Sequence, residues 1–275
     1  MKKVLFVLGL AVLFGAVSCN KDVVYNESGE PKEIAFELKG DFNPVVETKT
    51  TAINDVSGLG TVYCLCYNGS STVWNVALSK SGNTYYSGHY WPNSNSPGYL
   101  FYAANTSLAG PDYFYVSDTS TDIVCEYLGS PSVGSNNTLY LDHIFARIGS
   151  FSPSAPSGYS LVSWNATVSY PVPTSGCYYT ISNATFNSGT STSSSLSSSN
   201  DIWSCPGSAS VTVNYVLSKD YWTSSTITNT GYVTLQQGKV NNISGTLPGP
   251  ATPPTEIAFS VSVTAWSSAS VSLNF

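Results

Sequence analysis

"TEIAFSVSVTAW" occupies Thr255–Trp266, and its core, Glu256-Ile257-Ala258-Phe259, occurs once before, at Glu33-Ile34-Ala35-Phe36. In the later copy Ile257, Phe259, Val261 and Val263 fall on one face, while Ala258, Ser260, Ser262 and Thr264 fall on the other. That is the period of a half-buried β-strand. A second short alternation, Val271, Leu273 and Phe275, follows Trp266. In the earlier copy Ile34, Phe36 and Leu38 alternate in the same way. Two strands that share a side-chain pattern can compete for one slot. The later copy can serve as an edge or core strand of its own domain. It can also complement a neighbouring chain whose first strand has gone. In that case the ladder supplies affinity and the alternate side-chain pockets supply specificity. An exposed strand of this kind without a partner invites aggregation.

The rest of the chain repeats the period. Trp74, Val76 and Leu78 alternate, "GYLFYAA" (98–104) reads as a strand buried on both faces, and Leu139, Leu141 and His143 share a face. Helical periodicity is nearly absent, and Gly, Pro, Asn and Ser clusters separate the apolar runs. Many short strands between turn signals predict an all-β chain of sandwiches. Composition agrees: of 275 residues 13% are aromatic and only 9% charged, against roughly 25% charged in an average soluble protein. The Pro- and Gly-broken stretch "SFSPSAPSGYS" (150–160) divides two domains, expected at 50–155 and 156–254. "NSGTSTSSSLSSSND" (187–201) reads as a low-complexity loop. "LPGPATPPTE" (247–256) reads as a stiff spacer, because its prolines remove backbone donors and favour an extended chain. It would set residues 255–275 apart from the second domain.

The beginning of the chain predicts export. Lys2 and Lys3 precede an apolar run, Val4 to Val17, of about fourteen residues, short for a bilayer span. The run ends in "AVSC", the pattern of a lipoprotein signal (1–18) in which Cys19 becomes the acylated first residue. Each buried acyl CH₂ contributes ~0.8 kcal/mol, so a multiply acylated Cys19 would hold the protein on a membrane. Without Lys2 and Lys3 the charge is 16 acids against 8 bases, or −8. That surface argues against nucleic acid and anionic lipid as partners.

Residues 19–49 would then carry the first strand and an exposed connection, "NPVVETKTTAIND" (43–55), with a single basic residue, Lys49. A trypsin-like cut after Lys49 would release that strand with its lipid. Chemistry has little to work with. His89 and His143 are the only histidines, and no nucleophile elbow, zinc-protease helix or phosphate loop occurs. Adjacent Asp142 and His143 would point to opposite faces of a strand, leaving His143 packed in the core with a hydrogen-bond partner. No catalytic, cofactor or metal site is expected. Cys64 and Cys66 in "VYCLCY" share a face and read as small buried hydrophobes, while Cys177 and Cys205 flank the Ser-rich segment and could bond. Aromatic clusters at Tyr85, Tyr86, Tyr90 and Trp91, and at Tyr113, Phe114 and Tyr115, serve mostly as core, with sugar stacking as another use.

Several motifs in order carry a resemblance. They are the lipoprotein signal, "VETKTT" (46–51), Trp91-Pro92 before Leu100, Phe101 and Tyr102, then Leu139, His143, Ala146 and Arg147, and the terminal "EIAFSVSVTAW". Together they resemble the fimbrillin family, subunits of the type V pili of Gram-negative anaerobes. The resemblance spans essentially the whole chain. It implies two transthyretin-like β-sandwich domains, export to the outer membrane as a lipoprotein and proteolytic loss of the first strand (Ile34, Phe36, Leu38). It further implies assembly with copies of itself or related subunits through the terminal strand (Ile257, Phe259, Val261, Val263). One departure stands out. Maturation in the best-known members of that family follows an arginine, and the only one here, Arg147, lies within an expected strand. The cut therefore falls at Lys49, falls elsewhere or does not occur. An uncut chain would be an anchor, an accessory subunit or a surface lipoprotein that binds host or bacterial ligands.

Overall fold

Period-2 alternation becomes strands almost everywhere the structure, a computed structural model, describes the chain: residues 23–40, 53, 56–92, 98–250, 257 and 259–265. The expected signal, Cys19, Lys49 and the alternation after Trp266 lie outside these residues. The first half runs through β1 (Glu33–Lys39), β2 (Tyr63–Asn68), β3 (Ser71–Ala77), β4 (Ser79–Ser81), β5 (Thr84–Tyr90), β6 (Tyr99–Ala104), β7 (Tyr113–Tyr115), β8 (Val124–Leu128), β9 (Asn137–Tyr140) and β10 (Asp142–His143). The second half runs through β11 (Ala146–Ser154), β12 (Ser160–Val172), β13 (Tyr178–Thr180), β14 (Thr185–Phe186), β15 (Thr190–Leu196), β16 (Ile202–Ser204), β17 (Gly207–Lys219), β18 (Trp222–Thr223), β19 (Ile227–Leu235), β20 (Lys239–Thr246) and β21 (Phe259–Ala265). One 3₁₀ turn, Val56–Leu59, completes the set, and no α-helix is present among the described residues.

Two sheets face each other in the first half, with strand orders β4-β5-β1-β9 and β10-β8-β6-β2-β3. Their shared core takes Ile34, Phe36 and Leu38 from one sheet and Cys64, Cys66, Phe101 and Ala103 from the other. Alternation sends Leu65, Tyr102, Ala104 and Cys125 to the opposite face of the second sheet. That face is covered as well. A three-stranded sheet of β7, β13 and β14 brings Phe114 and Tyr179 against it, joined by Phe145 and Trp203. Coverage on both sides explains why "GYLFYAA" carries no polar alternation. Because β7 belongs to the first half and β13 to the second, the same layer ties the halves together. The second sandwich pairs β16-β11-β20-β21 with β15-β12-β17, to which both β18 and β19 add on the far edge of β17.

Three sequence expectations are corrected here. Within 137–154, β9 lies in the first sheet, β10 in the second and β11 in the second sandwich, where it pairs with β16 and β20. The passage between sandwiches therefore falls between His143 and Ala146, not at residue 155. The Ser-rich 187–201 is not a loop through its length. Thr190–Leu196 is an edge strand paired with β12 over seven residues. A ladder is made by backbone groups, so polar side chains suffice where only Leu196 enters the core. Last, the terminal strand does not stand apart from the second domain. β21 pairs antiparallel with β20 in that domain's own sheet, from Gly245↔Phe259 to Lys239↔Ala265.

Candidate strand-exchange site

The first strand occupies the middle of its sheet. β1 runs antiparallel to β5 on one side and parallel to β9 on the other, with a register shift between Glu33 and Ala35. Ile34 and Phe36 are completely buried and Leu38 nearly so. Beneath them lies an aromatic floor: Phe36 meets Phe101 edge-on at 5.0 Å between ring centroids, and Trp91 meets Phe101 edge-on at 5.9 Å. Burying three such side chains stabilises the sandwich by on the order of 6 kcal/mol.

Local bonds fix where β1 enters and leaves. Val24 N–H donates to Trp91 O, Lys32 N–H to Val24 O and Trp91 N–H to Lys32 O, at 2.7, 2.7 and 3.0 Å. The Asn26 side-chain oxygen accepts from Ser28 N–H and Glu30 N–H, turning the chain before the strand. The Ser87 hydroxyl donates to Ile34 O at 2.9 Å, and Leu141 N–H donates to Lys39 O at 2.8 Å. A groove of about 440 Å³, lined by Glu37, Lys39, Val56 and Lys80 among others, runs beside the end of the strand. Beyond the connection the chain is caught again at Ile53, whose N–H donates to Asp122 Oδ2 at 2.9 Å.

That aspartate is also the partner of His143, 3.0 Å from Nδ1. Both side chains are buried, so the pair lies inside the fold. Asp142 is exposed and His143 buried, on opposite faces as the alternation requires. Arg147 is buried in β11, with Nε 2.7 Å from Asp201 Oδ1, and so offers no accessible bond to a protease. Sequence separation hid the partnership of Asp122 with Ile53 and His143. No motif links residues so far apart.

The terminal strand is held differently. Ile257 is buried in the second core, but Phe259, Val261 and Val263 are half-buried, and Ser260 and Ser262 are exposed. Besides its ladder to β20, the strand touches β19, where Ile257 N–H donates to Thr230 O at 3.2 Å. Gly231 makes this possible. A Cβ there would come within 2.1 Å of Ile257 O and 2.6 Å of the Phe259 ring. The signal was in the sequence, since a glycine inside a strand pattern such as "TGYVTL" marks a close backbone approach.

Comparing the two strands isolates what differs. β1 has four register pairs with each neighbour, and β21 has seven with β20 alone. Backbone pairing is therefore nearly equal. Burial is not: the apolar row of β21 stays half-wet where that of β1 is dry. Superposed by their shared tetrapeptide, Ile257 falls on Ile34, Phe259 on Phe36 and Val261 on Leu38.

Other expected sites resolve simply. Cys64 and Cys66 lie in the first core, and burial raises both thiol pKa values, that of Cys66 to about 12. Cys177 and Cys205 are buried free thiols, and the Cys177 thiol donates to Ser188 O at 2.9 Å. Tyr85 and Trp91 are core, Tyr90 and Tyr115 exposed, and His89 stacks on Trp74 at 4.8 Å. Among the described residues no group of His, Cys, Asp and Glu is placed to hold a metal, and no helix is long and apolar enough to cross a membrane.

No protein-family model matches this chain, and no curated protein matches it. Solved structures do. A candidate cell adhesion protein from Parabacteroides distasonis aligns over 85% of this chain and 98% of its own length, at 10% identity and a TM-score of 0.53. A candidate cell adhesion protein from Bacteroides ovatus aligns over 86% and 98%, at 13% identity and a TM-score of 0.43. A fimbrial assembly protein from Parabacteroides distasonis aligns over 84% and 98%, at 10% identity and a TM-score of 0.37. The first supports a shared fold; the other two scores carry no weight.

Proposed function

We propose that this protein is a structural subunit of a cell-surface fimbria. It is exported as a lipoprotein on Cys19 and held at the outer membrane until its first strand is removed. It then joins copies of itself, or related subunits, by donor-strand exchange. One observation carries the reading: a buried central strand and a half-buried edge strand share one side-chain pattern. Removing β1 would open the aromatic floor of Phe101 and Trp91 and leave two strands without their middle partner. β21 of another copy carries the side chains to refill it. A contact of this kind is heterologous and does not close, so it propagates a filament. The adhesion description of the Parabacteroides distasonis structure fits a fimbria- or adhesion-related role. The reading gives the protein no enzymatic activity and no cofactor.

The docking of β21 in its own sheet favours a second reading. If the strand never leaves, the protein is a non-polymerising surface lipoprotein, an anchor or a ligand-binding adhesin. One experiment separates the two. The chain from Asn20 is cut with a lysine-specific protease and run unboiled on a denaturing gel. A ladder of multiples, lost on deleting residues 255–275 and absent for Lys49→Gln, supports exchange. A single band with β1 cleaved away supports the second reading.

A further inference from the structure

At the far end of β17 the chain reverses through a two-residue turn. Lys219 pairs with Trp222, and Asp220 and Tyr221 form the turn between them. The backbone at Asp220 has φ +53°, a conformation where glycine is the usual choice in such hairpins. The next position holds Tyr221, fully exposed, followed by Trp222, about half exposed. Neither ring packs in a core, so neither stabilises the sandwich by burial. Other exposed tyrosines, such as Tyr115, Tyr140 and Tyr232, lie along strand faces. Here, by contrast, Tyr221 and Trp222 line, with Tyr159, Pro250, Lys219 and Asp220, an open cleft of about 530 Å³.

We propose that this cleft binds a neutral hexopyranose, such as the exposed end of a surface glycan. Size is the first argument. The volume lies in the range of small-ligand sites. Charge is the second. Among the described residues one ammonium, Lys219, and one carboxylate, Asp220, line it, a balance that favours neither an anion nor a cation. A quaternary ammonium is excluded further because the Lys219 ammonium already sits 5.5 Å from the centre of the Tyr159 ring. Shape and polarity are the third. A pyranose presents an apolar CH face to an aromatic ring and hydroxyls at its edge, and Tyr221 and Trp222 supply the rings. Lys219 donates to those hydroxyls and Asp220 accepts from them. The open cleft gives affinity near ~1 mM per site. A filament that displays many copies would raise the effective avidity. The site itself does not depend on strand exchange.

The test uses the full chain. Methyl β-glucoside, methyl β-galactoside, methyl α-mannoside and N-acetylglucosamine are offered as probes, with tetramethylammonium and acetate as charged controls. Saturation-transfer NMR reads contact, and tryptophan fluorescence reads affinity. At least one sugar is expected to receive saturation on its ring CH protons. Tyr221→Ala and Trp222→Ala should each weaken it by about tenfold, while Tyr232→Ala, exposed on β19, leaves it unchanged. Both target rings are exposed, so a thermal melt should show the variants folded. Transfer to none of the four sugars would overturn the site, as would binding undiminished in Trp222→Ala. Stronger transfer to tetramethylammonium or acetate would overturn the neutral class.

Discussion

Gly231 lies directly against Ile257: any side chain at 231 would collide with the Ile257 carbonyl oxygen, 2.1 Å from where its first carbon must sit. The atom met is backbone, so it cannot swing aside as a flexible side-chain end would. Docking of the terminal strand in its own domain therefore depends on a missing methyl group. Gly231→Ala should loosen β21 from β19 and β20 and leave the rest of the second sandwich folded. The loss should be about 1–3 kcal/mol. Amide hydrogen exchange checks this: residues 259–265 and the facing amides of β20 should lose protection, with β12 and β17 unchanged. Unaltered protection of β21 would mean that the strand accommodates the clash without moving.

The two phenylalanines of the duplicated pattern should differ in cost. Phe36 is fully buried against Phe101, so Phe36→Ala should destabilise by about 3–5 kcal/mol. Phe259 is half-buried against Phe151 at 5.9 Å, so Phe259→Ala should cost the monomer about 1–2 kcal/mol. Urea unfolding of each variant gives the ratio. In an assembled ladder the order should reverse in consequence, with Phe259→Ala removing multimers that Phe36→Ala leaves intact once β1 is gone.

Thiol reactivity should report the departure of β1. Cys64 and Cys66 line the same core as Ile34 and Phe36, and burial holds both thiols up, so little thiolate forms at pH 8. A chain begun at Asn20 should react slowly with an aromatic disulfide reagent. After release of β1 these two cysteines should react first, while Cys177 and Cys205, elsewhere in the fold, stay protected. Addition of a peptide spanning 255–266 should restore protection. Reaction of all five at one rate would mean that cleavage unfolds the whole chain.

A carboxyl group should give stability an unusual pH slope. Burial, and next the nearby Asp142 carboxylate, raise the Glu126 pKa from 4.5 to about 7. Below 4.5 the group is protonated whether the chain is folded or not, and no penalty exists. Between 4.5 and about 7 the unfolded chain loses its proton while the folded one keeps it, so this group's contribution to stability falls as pH rises. Above that window the loss is constant, about 1–2 kcal/mol after allowing for the residue's partial exposure. Glu126→Gln should therefore raise Tm at pH 8 and leave it nearly unchanged at pH 4. An equal rise at both would place the effect in packing.

Much of this molecule was legible as a string. Alternation is a local property, fixed by the direction in which successive side chains leave an extended backbone. It placed Cys64 and Cys66 on one face with Leu65 on the other, and set Asp142 opposite His143. It marked β6 as a strand buried on both faces, and it matched the apolar rows of β1 and β21. What alternation does not carry is the identity of the neighbour. The run from Asn137 to Ser154 divides among three sheets because backbone partners far along the chain claim its parts in turn. The serines of β15 form a strand because β12 offers an unpaired edge, and no feature of the serines themselves foretells it. The copies of Glu-Ile-Ala-Phe differ in the same way. One is dry at the centre of a sheet and the other half-wet at an edge, because burial depends on what lies above and beside a strand. Sequence alone determined that two strands carry one pattern. Tertiary structure decided which of them is locked between two neighbours and which rests on a glycine, since only packing brings Gly231 to Ile257.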